Sequence, residues 1–267
     1  LAHAEVRAKA AVQTRPDARA AVAAVVGRAM LCGRSHPSGE VTTGRTLAAI
    51  ERPVMLAYHR QFFRPENGYL VFVGDITEKE AKDLAKAHFG KWKPQPSDSS
   101  TDQYGRTVVQ DLGVLDVLKD PAVPGKIRKV YVVDRPNATQ SVIRVMFPLP
   151  LVPKDLRAQQ AQVMNTILGG SIFNARLMQN LREEHGFTYG CHSSLDVDRF
   201  NSSFVATASV RTDVTDSAVA EILTELERMR NMPVAPEELT LAKNSMMGAF
   251  GRSLEDPRTI ARFALNT

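Results

Sequence analysis

Apolar and polar positions alternate along this chain with two different periods, and the change from one to the other marks its elements. Leu1 to Thr14 is helical in pattern, Arg15-Pro16-Asp17 breaks it, and the Ala/Val-rich run Ala18 to Leu31 predicts a second, largely buried helix. Gly33 to Gly44 is rich in turn formers and reads as loop. Pro53 suits the first turn of a helix reaching Phe62, and Arg64-Pro65-Glu66-Asn67-Gly68 turns the chain into an apolar strand, Tyr69 to Val73. Thr77 and Glu80 have the spacing of a capping box, in which a hydroxyl and a carboxylate satisfy free N–H groups at the start of a helix that ends near Phe89-Gly90.

From Lys93 to about Arg128 no period is sustained, and Pro, Ser, Asp and Gly dominate. Beyond it, Lys129 to Asp134 and Ser141 to Phe147 read as strands, and Asp155 to Leu168 and Asn174 to His185 as helices, the latter stopped by Gly186. Strands at Tyr189 to Asp196 and Ser202 to Val210 follow, then helices at Thr215 to Met229 and Pro236 to Ser253. Strand pairs followed by helix pairs argue for an α+β fold and against parallel βαβ units. The four strands of this second part are expected in one largely antiparallel sheet, with helices packed on one face.

Composition narrows the class. With 43% hydrophobic and 24% charged residues the chain is globular in type, and 267 residues suffice for one large or two ordinary domains. Its net charge of +5, from 34 basic and 29 acidic residues, is dispersed and lacks the basic stripe of a nucleic-acid binder. No apolar run approaches the roughly 18 residues of a membrane span. Cys32 and Cys191 show no CxxC spacing, so a cysteine-based zinc site is not expected, and two ordinary buried thiols are expected in preference to a disulfide. Because the chain starts without Met inside one helical pattern and stops inside another, we expect a fragment or a processed piece.

The stretch Leu168 to Gly190 carries the most information. It contains Leu168-Gly169-Gly170, Arg176-Leu177, Leu181-Arg182-Glu183 and Gly186-Phe187-Thr188-Tyr189 in that order. Read from the residues alone, Arg182 is a solvated cation at a helix C-terminus, Tyr189 a strand aromatic in the core, and Gly169-Gly170 a helix-to-helix turn. His185 and His192 stand seven apart across a Gly stop, a spacing without ligand logic, and read as solvated and strand-surface side chains. Glu183-Glu184 reads as a solvated face and His36-Pro37 as structural.

The whole set of motifs, however, resembles the C-terminal half of pitrilysin/insulinase-type zinc peptidases, including the mitochondrial processing peptidases. Further upstream, His36-Pro37-Ser38-Gly39, Tyr58 to Phe63, Arg64-Pro65-Glu66-Asn67, Val73-Gly74-Asp75 and Phe89-Gly90-Lys91-Trp92 are similar to the back half of a preceding domain of that kind. The resemblance implies two consecutive, incomplete α+β metallopeptidase-like domains. Residues 1–95 would be the back part of the first, 96–128 a linker, and 129–267 a C-terminal-type second domain. An interrupted helix at Pro16-Asp17 and again at Asp256-Pro257 is a faint internal echo.

In that family zinc is held by a His-x-x-Glu-His helix and a downstream Glu, because two His four apart share one helix face. This chain has His3, His36, His59, His88, His185 and His192, no two of them four apart, and no carboxylate between Val6 and Thr14. No metal ligand or cofactor is therefore expected in this chain, and zinc is expected on a partner domain, fused or separate. The resemblance gives Arg182 and Tyr189 the role of hydrogen-bond donors to the substrate carbonyl near the scissile bond, and Gly169 and Gly170 that of a substrate-binding loop.

Three functions fit these residues. The first is the non-catalytic, substrate-positioning half of a zinc metalloendopeptidase that encloses unfolded peptides in a chamber, with bacterial periplasm or cell envelope as the implied compartment. The second is a chamber-fold scaffold without enzymatic activity. The third is an active peptidase whose zinc motif lies upstream. Retention of Arg182 and Tyr189 favours the first over the second, and the carboxylate-free first helix counts against the third.

Overall fold

A computed structural model describes residues 2–14, 18–33, 36–65, 68–93, 129–171, 174–198 and 201–266. Helices α1 (Ala2–Thr14), α2 (Arg19–Cys32), α3 (Gly44–Ala48), α4 (Arg52–Phe62) and α5 (Glu78–Phe89) come first. Strand β1 (Gln140–Leu149) then leads to α6 (Leu156–Asn165), a π-turn Thr166–Gly170, the short α7 (Arg176–Met178) and a second π-turn Gln179–Glu184. Strands β2 (Thr188–Asp196) and β3 (Ser202–Arg211) are followed by α8 (Thr215–Asn231), α9 (Pro236–Ser253) and α10 (Pro257–Asn266). The expected linker 96–128 and the Pro16-Asp17 break lie outside the described residues, whereas Asp256-Pro257 does separate α9 from α10.

Two compact units emerge, Leu1–Leu47 with Gly113–Lys243, and Ala48–Leu112 with Asn244–Thr267. The first is built on a three-stranded antiparallel sheet in the order β1-β3-β2. Period-two alternation along β3 turns Phe204, Ala206, Ala208 and Val210 to one face, where they join Ile143 of β1 and Cys191 of β2. Leu168, Leu177 and Leu181 from the helical segment between β1 and β2, and Ala218 and Ile222 from α8, close the same core. The helical segment between β1 and β2 thus lies with α8 on one face of an antiparallel sheet, as the pattern of the second part required. On the opposite face, α2 meets β1 so closely that a Cβ on Gly27 would lie 2.6 Å from Met146 Sδ.

In the second unit none of the residues whose burial is described is buried. Within it, Phe250 of α9 packs edge-on against Phe263 of α10 at 5.7 Å. The capping box of α5 is formed as expected: Thr77 N donates to Glu80 Oε2 at 2.8 Å and Glu80 N to Thr77 Oγ1 at 3.3 Å. His36 is structural too, its Nδ1 accepting from Ser38 N at 3.0 Å.

Two expected strands are not present. Lys129 to Asp134 and Tyr69 to Val73 are unpaired in the structure, with Val130 86% and Tyr69 87% exposed. An apolar run identifies a strand only where a neighbouring edge supplies the ladder hydrogen bonds, and no described segment pairs with either run. Neither cysteine is in a disulfide; Cys191 is fully buried, and Cys32, expected buried, is only half-buried, its Sγ accepting from Asn201 Nδ2 at 3.0 Å. No described helix is long and apolar enough to cross a membrane.

Candidate functional site

The corner from Leu168 to Gly190 is held by interlocking close approaches. After α6 the helix widens into the π-turn Thr166–Gly170, which lies directly on β2. A Cβ on Gly169 would come within 2.5 Å of Ser193 Oγ, 2.7 Å of Ser193 N and 2.9 Å of Leu177 Cδ1, so only hydrogen fits there. Asn165 fastens the same contact: Ser193 Oγ donates to its Oδ1 at 2.7 Å, and its Nδ2 donates to Ser193 O at 3.3 Å. Gly169 is buried by this packing, and Gly170 beside it is exposed.

The next helical segment begins at Arg176, whose guanidinium makes a two-pronged ion pair with Glu238 of α9, Nε to Oε1 at 2.8 Å and Nη2 to Oε2 at 2.7 Å. Fork-to-fork geometry of this kind fixes orientation as well as charge. Hydrogen bonding from Arg176 lowers the Glu238 carboxyl pKa, and the carboxylate in turn raises that of the guanidinium. Four residues on, the buried Asn180 donates from Nδ2 to Glu221 Oε2 at 2.9 Å and to Glu225 Oε1 at 3.1 Å, both on α8. Glu225, 1% exposed, also accepts from Arg228 Nη1 at 2.6 Å.

Over this anchored base the segment ends in the second π-turn. His185 N donates to Asn180 O at 3.1 Å and Phe187 N to Leu181 O at 2.8 Å, and Gly186 reverses the chain at φ 61°. The register of β2 against β3 then slips between Thr188 and Cys191. Thr188 Oγ1 staples this bulge, donating to Ser209 O at 2.6 Å while accepting from Gly190 N at 3.1 Å. Bulges re-aim side chains. Tyr189 stands in this one and is 92% exposed, contrary to the core position that its apolar ring suggests.

Arg182 lies on the outer side of the π-turn, with its side chain 40% exposed and Nε 3.3 Å from Glu183 Oε1. Glu183, Glu184, His185 and His192 are all exposed, in keeping with their solvated reading. The corner therefore presents a guanidinium and a phenol, both able to donate hydrogen bonds to a carbonyl oxygen. It does not fit zinc. Among the described residues no three His, Cys, Asp or Glu side chains converge to hold an ion.

Sequence reasoning missed the Asn180–Glu225 network and the Arg176–Glu238 pair. A signal for the first was present, because Glu225 stands in the inward stripe Ala218, Ile222, Glu225, Met229 of an amphipathic helix, where an apolar residue is the rule. Arg176 belonged to a quoted motif, but nothing in the sequence pointed to a partner 62 residues away.

Fold and corner together define an α+β domain whose antiparallel sheet carries α8 and the helical segment between β1 and β2 on one face and presents a guanidinium and a phenol at one corner. The chain belongs to the peptidase M16 family through its inactive domain: residues 49–246 match the model described as "Peptidase M16 inactive domain". It is 22% identical over 228 residues to an uncharacterized zinc protease of Mycobacterium leprae, covering 83% of this chain and 46% of that protein. The chain thus spans about half the length of this relative.

Solved structures share the fold. The peptidase M16 inactive domain from Pseudomonas fluorescens aligns with a TM-score of 0.69 at 19% identity, over 92% of this chain and 55% of that one. The periplasmic protease PqqL from Escherichia coli aligns at 0.72 and 16% identity, over 99% of this chain and 27% of that one. The resemblance read from the motifs is confirmed at the level of family and fold.

Proposed function

We propose that this chain is the substrate-positioning half of a zinc metalloendopeptidase acting on unfolded peptides in a closed chamber. The zinc-bearing half would be fused to it or supplied as a separate subunit. The observation that carries the reading is the exposure of Tyr189 at the β2 bulge, one tight turn beyond Arg182. An aromatic ring held in water by a stapled bulge contributes little to the core, whereas two donors at one corner suit a carbonyl oxygen gaining charge during peptide hydrolysis. A well-placed donor of this type contributes about 3–4 kcal/mol to a transition state.

In this reading the Gly169-Gly170 turn borders the peptide path, Gly170 through its exposed backbone and Gly169 by fixing the turn on β2. The division into 1–95, 96–128 and 129–267 stays part of the proposal, as the boundaries of ancestral domain copies. So does a periplasmic or cell-envelope location, supported by the periplasmic relative from Escherichia coli.

Reconstitution tests the reading. The isolated chain should hydrolyse no unstructured peptide and retain no stoichiometric zinc after dialysis, since a catalytic site requires three protein ligands. Adding the zinc-bearing half should restore cleavage. One tightly held zinc per isolated chain, or cleavage by the zinc-bearing half alone at the full rate, would refute it.

A further inference from the structure

The buried network beneath Arg182 is costly and has no counterpart in an ordinary helix-on-sheet core. Among the described residues Glu225 Oε2 and Asn180 Oδ1 have no hydrogen-bond partner although both side chains are buried, and Glu225 occupies a position where Leu or Met would pack. Replacing buried ion pairs by apolar groups is often neutral or stabilising, so stability does not account for this arrangement. Direction does. Asn180 is the residue whose carbonyl closes the π-turn, by accepting from His185 N, and its side chain is gripped by two carboxylates of α8. Glu221, one of the two, also lies 3.9 Å from His185 Nε2, at the other end of the turn.

A π-turn carries one residue more per turn than an α-turn and is rare, occurring mostly as a single turn inside an α-helix. Tightening of the π-turn to α geometry would turn the residues that follow by up to about 100° around the helix axis. Arg182, two residues after Asn180 and pointing outward, would leave its place, while the Gly186 reversal keeps its own bond from Phe187 N to Leu181 O.

We infer that Asn180, clamped by Glu225 and Glu221, is a positioning residue that sets the aim of Arg182 towards the substrate carbonyl. The inference rests on the role proposed above for Arg182, and a double-mutant cycle separates the two.

The protein assembled with its zinc-bearing half is assayed on an unstructured peptide as parent, Asn180→Ala, Arg182→Ala and the double variant. Asn180→Ala should lower kcat about 10-fold with KM changed less than about twofold, and Arg182→Ala should lower kcat about 100-fold. The double variant should be no slower than Arg182→Ala. Asn180→Ser, whose shorter side chain cannot span to Glu225, carries the same cycle should Asn180→Ala melt below the assay temperature.

Glu225→Gln, which keeps an acceptor oxygen for Asn180, should retain most of the parent kcat, whereas Glu225→Ala should match Asn180→Ala. Losses that multiply in the double variant, to about 1,000-fold, would overturn the positioning role while leaving Arg182 in place. Parent-level cleavage by Arg182→Ala would instead remove the Arg182 reading, and the positioning role with it.

Discussion

Gly169→Ala tests whether the candidate corner is fixed by a backbone approach that admits no side chain. The added methyl group would sit 2.5 Å from Ser193 Oγ and 2.7 Å from Ser193 N. The hydroxyl can rotate away only by giving up its bond to Asn165 Oδ1, and the amide of β2 is held in its strand. Overpacking of this kind costs about 1–3 kcal/mol, and the lost hydrogen bond about 1 kcal/mol more. Against that, replacing Gly by Ala in a helical segment gains roughly 0.5–1 kcal/mol.

The net loss is about 2 kcal/mol, which for a domain of this size lowers the thermal midpoint by about 4–8 °C. Gly27→Ala is the matched control. Its Cβ would also fall within 3 Å of a neighbour, but that neighbour is the mobile end of Met146, so its midpoint should hold or rise. Thermal unfolding followed by near-ultraviolet circular dichroism reads both. If Gly169→Ala melts at or above the parent temperature, the π-turn does not press on β2 and the described corner is wrong.

Two further outcomes follow from buried groups. Burial pushes the Cys191 thiol up to about 12, so iodoacetamide at pH 8 should label at most one cysteine of the folded protein, Cys32, and both after denaturation. Labelling of Cys191 in the folded state would contradict its place in the core. The Arg176 guanidinium holds the Glu238 carboxyl below its usual value of 4.5, so the stability it contributes is present above that pH and is lost as pH falls through the depressed value. Glu238→Gln should therefore cost about 1–2 kcal/mol at pH 7 in urea titrations, and the gap from the parent should close in strong acid. A gap that persists unchanged at low pH would show that the pair contributes nothing through its charge.

Legibility in the sequence followed the range of the interactions involved. α5 could be read because its capping box is local to Thr77 and Glu80, and β3 because its alternation runs its whole length without a break. Lys129 to Asp134 and Tyr69 to Val73 have strand composition, yet whether a ladder forms depends on a partner edge that composition does not encode. The π-turns have no signature of their own: Thr166 to Leu168 and Gln179 to Glu184 read as plain helix and Gly169-Gly170 as a turn, since the wider geometry is set by contacts with β2 and α8, tens of residues away. Tyr189 illustrates the same limit: period two would place it on one definite face, and the bulge stapled by Thr188 re-aims it. The residues of the candidate corner were legible only through family motifs, and the carboxylate of Glu225 was missed although the break in the α8 stripe marks it.

The central claim, that this corner donates hydrogen bonds to a peptide being cleaved, is tested most directly by kcat and kcat/KM for Arg182→Ala and Tyr189→Phe. Both are measured in the protein assembled with its zinc-bearing half, on an unstructured peptide. Because both side chains are exposed, thermal midpoints should stay within about 1 °C of the parent, as is usual for surface substitutions. Each variant should be slower by about 100-fold or more in kcat, the signature of a contact made chiefly in the transition state. Cleavage by both variants at the parent rate would contradict the claim and leave the corner as architecture.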